Sequence, residues 1–205
     1  ENWTGVNQAN ASKEGEYVKE CSTCSYVMER ITVPKTGEQT VVTTYDELRD
    51  ALAKGGKQWI TLDFPTKFCD QKDFNSKYTL RVDDPEADIT IDLNNCFLNR
   101  TTSYDKYLFE VIQGSLRIWQ KNGNGIDDER TGSFTNNLTL YNANGKSVFY
   151  VGESGSLTLT NVYALAVGEY ACSFPIVKSY GNLRIDSGIY KSFVATPAVE
   201  VRSGN

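Results

Sequence analysis

Apolar and polar residues alternate along most of the chain after residue 57, and this alternation predicts short β-strands. A strand turns successive side chains to opposite faces, so a period of two marks a strand with one buried face. Glycine and asparagine turns separate the alternating segments, which keeps each strand short. The segments read WITLDF, ITIDLNNCFL, YLFEVIQGSLRIW, NLTLYN, VFYVGESGSLTLTNV, PIVKSYGNLRIDSGIY and AVEVRSGN.

The alternating segments repeat a Gly-Ser or Gly-Asn turn. The repeated glycines are Gly114, Gly155, Gly181 and Gly204, at spacings of 41, 26 and 23 residues. The first spacing is long because a polar segment, residues 121–137, interrupts it. A recurring unit of about 25 residues made of short strands is typical of a β-solenoid. An antiparallel β-sandwich is the alternative, but it does not predict a near-constant spacing.

The apolar residues of these segments are expected to stack in a narrow core, each unit on the next. The strand after Gly155 would then lie between the strands that follow Gly114 and Gly181. The predicted inward residues are Ile89, Ile91, Leu93, Leu116, Ile118, Leu140, Leu157, Leu159, Leu183 and Ile185.

One amphipathic helix is predicted before the strands, at about residues 45–54. Thr44, followed three residues later by Glu47, is a capping-box signature. Gly55 and Gly56 are expected to end the helix. At the end of a solenoid such a helix would cover apolar side chains and open strand edges. Its apolar stripe consists of Tyr45, Leu48, Ala51 and Leu52.

Composition narrows the class of partner. The chain has 205 residues, a formal net charge of −5 and a pI near 4.9. Nucleic acids and anionic membrane surfaces are bound by cationic faces, so neither is an expected partner. No apolar run is long enough for a membrane helix, so no membrane insertion is expected. The absence of histidine removes the commonest general base and the commonest metal ligand.

The chain divides into two parts at about residue 39. Residues 1–39 are mostly polar, with one short stretch richer in apolar residues, YVMERITVP. They are interpreted as a short module or linker. Residues 40–205 carry the helix and the repeated strands. The last residues stop where another strand would begin, so we expect a fragment of a longer chain.

Both parts resemble known sequences. The stretch VVTTYDELRDALAKGGKQWITLD followed by ITIDLNNCFL looks like the N-terminal cap and first coil of right-handed parallel β-helices in large Gram-positive bacterial surface proteins. The first part is similar to short Cys-x-x-Cys modules that accompany these β-helices, but Ala11, Ser25 and Glu38 replace a Cys, a Gly and a His of that pattern. The resemblance implies an all-β, right-handed parallel β-helix that is secreted or cell-wall associated and belongs to a larger multidomain chain.

The cysteines suggest two environments. Cys21 and Cys24 could be a redox pair, half of a metal site or a local disulfide, and the disulfide is favoured because no strand-to-helix setting surrounds them. Cys96 and Cys172 lie in apolar, strand-like sequence and are expected to be buried thiols.

A calcium site is considered in the interrupting segment. Oxygen ligands on a glycine-rich turn suit Ca²⁺, but the spacing does not match an EF-hand, and a solvated loop is favoured. No other cofactor is expected. The candidate ligands are Asn122, Asn124, Asp127 and Asp128.

The predicted function is non-catalytic: a rigid stalk or adhesin that binds host protein or glycan through its lateral face. Exposed aromatic side chains could stack on sugars or anchor a protein. The alternative is a polysaccharide lyase or glycoside hydrolase, for which Asp92, Asp186, Arg117 and Arg184 occupy strand positions. No paired carboxylates register between strands, so an enzyme is disfavoured. The candidate binding residues are Trp119, Tyr141, Tyr150 and Tyr163.

Overall fold

The computed structural model describes nine stretches of the chain, and strands dominate them. These stretches are residues 3–64, 79–94, 96, 98–100, 107–120, 139–142, 147–166, 174–192 and 197–202. Cys69, Cys172 and the segment at residues 121–137 lie outside them. The strands form three sheets, two parallel and one antiparallel.

The N-terminal residues form a three-stranded antiparallel sheet in the order β1-β2-β3. A short 3₁₀ helix, Thr36–Glu38, connects this sheet to the rest of the chain. The strands are β1 (Trp3–Asn7), β2 (Gly15–Glu20) and β3 (Val27–Val33).

The main sheet has eight strands, and neighbouring strands run parallel. Seven of them follow one another across the sheet in chain order from β4 to β15, and β13 also pairs with β10. The strands are β4 (Thr40–Val42), β5 (Lys57–Leu62), β6 (Leu80–Asp92), β8 (Phe109–Trp119), β10 (Phe149–Thr160), β12 (Val177–Ser179), β13 (Asn182–Ile185) and β15 (Val199–Val201).

A second parallel sheet has four strands, in the order β14-β11-β9-β7. From β6 to β12 the strands of the two parallel sheets alternate along the chain. Buried residues of both parallel sheets, including Leu98, Val162 and Ala164 of the second, belong to one hydrophobic core. The strands are β7 (Leu98–Arg100), β9 (Thr139–Asn142), β11 (Val162–Ala166) and β14 (Gly188–Ser192).

The predicted right-handed parallel β-helix is wrong. The chain is mostly β, as expected, but its main unit is an eight-stranded parallel sheet with a helix beside it, and the described residues show no solenoid. The sequence repeat explains why this prediction was wrong. Parallel strands in register place like residues beside one another, so a recurring Gly-x-Leu motif indicates register and does not specify how the sheet closes.

The predicted stacking of apolar residues is confirmed within the main sheet. Leu157 pairs in register with Leu116 on β8 and Leu183 on β13, and Leu159 pairs likewise with Ile118. Most predicted core positions are buried, whereas Leu183 is partly buried and Ile185 on the same strand is exposed. Leu140 lies in β9, and its side chain is outside the described part of the structure.

The predicted helix is confirmed as α1 (Tyr45–Ala53). Thr44 Oγ1 accepts a hydrogen bond from the Glu47 backbone N–H at 3.2 Å, and Glu47 Oε2 accepts one from the Thr44 N–H at 3.3 Å. After the helix, Gly55 adopts a left-handed φ of +64°. The whole predicted stripe of the helix is buried in the main core, against β4 and β6. No helix in the described residues is long and apolar enough to cross a membrane.

Replacing Glu47 with Gln should remove a pH-dependent contribution to stability. Hydrogen bonds from Thr43 and Thr44 lower the pKa of Glu47 below its ordinary value of 4.5. A carboxylate whose pKa is lowered by folding stabilises the folded state fully above 4.5, and this stability is lost as the pH falls through the folded-state value. In urea denaturation, wild type and Glu47→Gln should therefore differ at neutral pH and converge in acid. Glu153→Gln, at an exposed position on β10, is the control, and a pH-independent gap for Glu47→Gln would contradict the expectation.

The antiparallel sheet covers part of the outer face of the main sheet, the face opposite the core. Trp119 of β8 is completely buried there, with its ring 5.3 Å from that of Tyr17 and 5.6 Å from that of Trp59. Trp3, Ile31 and Val33 complete this cluster from the N-terminal side. Apolar burial is therefore a main source of adhesion between the two sheets.

An ion pair network borders this cluster. Glu29 of β3 contacts Arg184 of β13 at 2.7 Å and Arg117 of β8 at 3.5 Å. The Glu29 side chain is only 15% exposed, so its charge is partly shielded from water and depends on both guanidinium groups.

Glu29→Gln should lower the free energy of unfolding by roughly 1–3 kcal/mol, because it leaves two arginines without their shared carboxylate. Glu38→Gln is the matched control. Glu38 is 56% exposed and contacts Lys35 at 3.7 Å, and an exposed pair of this kind contributes about 0–1 kcal/mol. Chemical denaturation of both variants checks the difference. Equal losses would show that the Glu29 network adds nothing beyond an ordinary surface pair.

Candidate functional site

Three tyrosines form a row on the outer face of the main sheet. The rings of Tyr107 and Tyr150 are stacked, with centroids 4.8 Å apart and an interplanar angle of 29°. The ring of Tyr180 follows, 5.9 Å from that of Tyr150 and tilted by 51°. All three side chains are partly exposed. We call these three residues the tyrosine row.

Strand alternation turns the centre of the tyrosine row outward. Phe149 and Val151 on either side of Tyr150 are fully buried in the core, so the residue between them must point the other way. Parallel pairing places Glu110 of β8 and Lys178 of β12 beside Tyr150 in register. Tyr150 therefore lies between an acidic and a basic position.

Tyr180 is held at the corner between β12 and β13. Its backbone N–H donates to the Val151 carbonyl at 2.8 Å, and the buried Ser179 hydroxyl donates to the Gly181 carbonyl at 3.0 Å. Backbone and side-chain contacts thus fix the last ring of the row.

Charged side chains surround the tyrosine row. The Lys178 ammonium lies 5.6 Å from the ring centroid of Tyr180, within cation–π range. Arg202 pairs with Glu200 at 2.5 Å, and this hydrogen bond is the main reason why the pKa of Arg202 is raised. On the opposite side Arg81 pairs with Asp83 at 2.8 Å. The face thus combines an aromatic centre with a rim of both charge signs.

Of the aromatic residues predicted to bind, only Tyr150 belongs to the row. Trp119 was expected to be exposed but is completely buried beneath the antiparallel sheet. Tyr163 lies in β11 of the second sheet, where partial burial raises the pKa of its hydroxyl. Tyr141 lies in β9, paired with Leu165, and its side chain is not described.

The structure leaves the predicted calcium ligands untested. Asn122, Asn124, Asp127 and Asp128 lie outside the described residues. Within the described stretches, no group of three or more His, Cys, Asp or Glu side chains is placed to hold a metal ion.

The two neighbouring cysteines, Cys21 and Cys24, lie in the turn between β2 and β3 as free thiols. Their disulfide stays a prediction. Cys96 is fully buried, as predicted, and its Sγ lies 3.5 Å from the Leu62 carbonyl.

The strand residues considered for catalysis make structural contacts. Asp186 accepts hydrogen bonds from Arg184 at 2.6 Å and from the Thr160 hydroxyl at 3.0 Å. Asp92 accepts the Asn94 backbone N–H at 3.0 Å, which supports the turn after β6. Arg117 forms the ion pair with Glu29 that is described above.

A cleft of about 440 Å³ lies where β3 crosses β5, β6 and β8. Among its lining residues are Arg30, Thr32, Lys57, Trp59, Asp88 and Arg117. Each cationic side chain in this group has an acidic neighbour: Glu16 for Arg30, Asp88 for Lys57 and Glu29 for Arg117. Because each of these cationic side chains is already paired with a carboxylate, the cleft is a weaker candidate for a ligand site than the tyrosine row.

The sequence pattern predicted Tyr150 as a binding residue but did not group Tyr107 and Tyr180 with it. The grouping depends on where the chain shifts register. Between β8 and β10 the register shifts after Val151, and Tyr180 sits at a corner that the repeat alignment does not locate. The available signal was a tyrosine at each of three successive parallel strands: Tyr107 just before β8, Tyr150 in β10 and Tyr180 just after β12.

The fold and the row define a predominantly β protein with an aromatic outer face. Comparison of the chain with protein-family models, curated proteins and solved structures finds no match. The resemblance to Gram-positive surface proteins therefore stays a prediction.

Gly181→Ala should destabilise the corner that positions Tyr180. A Cβ at this position would lie 2.2 Å from the Gly152 carbonyl oxygen and 2.3 Å from that of Gly155. Backbone must move to accept it, so the free energy of unfolding should fall by about 1–3 kcal/mol in urea denaturation. Gly37→Ala is the control, because a Cβ there meets nothing within 4 Å. Similar stabilities for the two variants would mean that the corner adapts without cost.

Proposed function

We propose that the chain is a non-catalytic binding module whose tyrosine row contacts a protein partner. The observation that carries this proposal is the contact of three partly exposed tyrosine rings on one face of a parallel sheet. Tyrosine supplies a large contact area that is apolar in its ring and polar at its hydroxyl, and little side-chain entropy is lost when it binds. A preformed aromatic surface therefore lowers the cost of association.

The orientation of the rings favours a protein over a glycan. Sugars are commonly bound by the open face of an aromatic ring, but Tyr107 and Tyr150 turn ring faces toward each other. Lys178 lies close to the ring of Tyr180. The row consequently offers ring edges and hydroxyl groups, which suit the mixed polar and apolar surface of a protein.

The charged rim supports the same proposal. Protein interfaces commonly have an aromatic centre surrounded by polar residues that keep water away from it. Here Arg81, Glu110, Lys178 and Arg202 occupy the positions around the tyrosines. Such a rim favours a partner with complementary charges and sets its orientation on the sheet.

An extracellular or cell-wall-associated location, a host protein as partner and membership of a larger multidomain chain form part of the proposal. Their support is the sequence resemblance of the segment that forms α1, the repeated strand segments and the Cys-x-x-Cys segment to bacterial surface proteins. Binding through the tyrosine row requires no cofactor. The calcium site considered at Asn122, Asn124, Asp127 and Asp128, where a solvated loop is favoured, stays untested.

Tyr150→Ala should weaken binding by about tenfold or more, because truncating a central aromatic residue of an interface typically costs about 1–2 kcal/mol or more. The purified chain is screened on an array of extracellular proteins and on a glycan array, and hits are measured by biolayer interferometry. Tyr150→Phe should retain most of the affinity, since it keeps the ring.

Tyr26→Ala is the matched control. Tyr26 is 70% exposed but lies at the turn of the β2–β3 hairpin, outside the tyrosine row. A protein ligand lost by Tyr150→Ala and kept by Tyr26→Ala supports the proposal. A glycan ligand that depends on Tyr150 would replace the protein partner with a sugar. Ligands that bind all variants equally, or no ligand on either array, would contradict the assignment of this face.

A further inference from the structure

The turn between β2 and β3 brings two thiols together at an exposed tip. The Cys21 backbone N–H donates to the Tyr26 carbonyl at 2.9 Å, and the Ser25 N–H donates to the Cys21 carbonyl at 2.9 Å. Ser25 has a left-handed φ of +55°, which lets the chain return into β3. These bonds close the loop while both cysteines remain free thiols, so the loop conformation does not require a disulfide.

The two sulfur atoms differ in their surroundings. The pKa of Cys21 is lowered from its ordinary value of 9.0, because hydrogen bonding by the backbone N–H groups of Thr23 and Cys24, and then by the Cys24 thiol, favours the thiolate. Cys24 is the more exposed of the two residues. The pair therefore combines a stabilised thiolate with an adjacent, accessible thiol.

Cys96 provides a contrast within the same molecule. It is fully buried in the main core, with its sulfur 3.5 Å from the Leu62 carbonyl oxygen. Buried thiols in apolar surroundings react slowly, because the thiolate is disfavoured and reagents cannot reach it.

We propose that Cys21 and Cys24 form a redox-reactive dithiol that exchanges with low-molecular-weight disulfides, with Cys21 as the nucleophile and Cys24 as the resolving thiol. The site is independent of the tyrosine row. It also differs from a permanent structural disulfide, because backbone hydrogen bonds already close the loop around the two free thiols.

The reaction takes place in two exchange steps. The Cys21 thiolate attacks one sulfur of the disulfide RSSR, so that the S–S bond breaks, a mixed disulfide forms and RS⁻ leaves and takes up a proton. Cys24 then loses its proton and attacks the Cys21 sulfur of the mixed disulfide, which releases the second RS⁻. The dithiol loses two electrons and the reagent gains them, giving one intrachain disulfide and two RSH.

Oxidised glutathione is the probe for the first step. With Cys24→Ser, the mixed disulfide should accumulate on Cys21, because no thiol resolves it; intact mass and peptide mapping identify the site. With Cys21→Ser, the mixed disulfide should form on Cys24 several-fold more slowly. Ser22→Ala, in the same exposed loop, is the control variant and should oxidise like the wild type.

Alkylation of the reduced protein by a limiting amount of iodoacetamide tests the order of reactivity. Cys21 should be labelled before Cys24, and the midpoint of its labelling rate against pH should lie below 9.0, the ordinary pKa of a cysteine thiol. Cys96 should stay unlabelled until denaturant is added. The oxidised wild-type protein should return to the dithiol on addition of reduced glutathione without denaturant.

Three results would overturn the proposal. They are faster labelling of Cys24, no mixed disulfide on Cys21 in the Cys24→Ser variant, and a Cys21–Cys24 disulfide that reduced glutathione leaves intact in the native protein. The last result would identify a structural disulfide. None of these measurements depends on a ligand of the tyrosine row, so the two proposals succeed or fail separately.

Discussion

The parallel register of the main sheet is the constraint on which the rest of this structure depends. Each strand pairs with its neighbour so that equivalent residues lie side by side, and Ile89, Leu116 and Leu157 form one such row across three strands. Side chains one residue away form a row on the other face. A one-residue slip would exchange the two faces, so the burial of the inner rows also fixes every outward residue.

The outer face has two environments, and neighbouring structure decides between them. At one end the antiparallel sheet covers Trp119 and Trp59, and Glu29 is shared by two arginines. At the other end Tyr150 remains open to solvent beside its two neighbours. Both are outward aromatic residues in parallel strands, yet one serves adhesion between sheets and the other is available to a partner.

Whether a feature depends on local or distant residues decides whether it could be predicted from the sequence. Thr44 and Glu47 determine the helix start through local hydrogen bonds, and the Leu157 row follows from local alternation, so both were predictable. The way in which the sheets close is not a local property, and the repeat indicated register without specifying a solenoid. The burial of Trp119 likewise depends on β1–β3, which are distant in sequence.

The two proposed sites use opposite mechanical properties of the fold. Recognition benefits from the rigidity of a wide sheet, because rings that already contact one another lose little freedom on binding. Disulfide exchange needs an exposed sulfur that a reagent can approach along the bond that breaks, and the β2–β3 turn lies beyond the sheet register that ends at Glu20 and Val27. Tyr150, at the centre of the tyrosine row, therefore lies in a paired strand, whereas both cysteines lie in a turn outside the pairing.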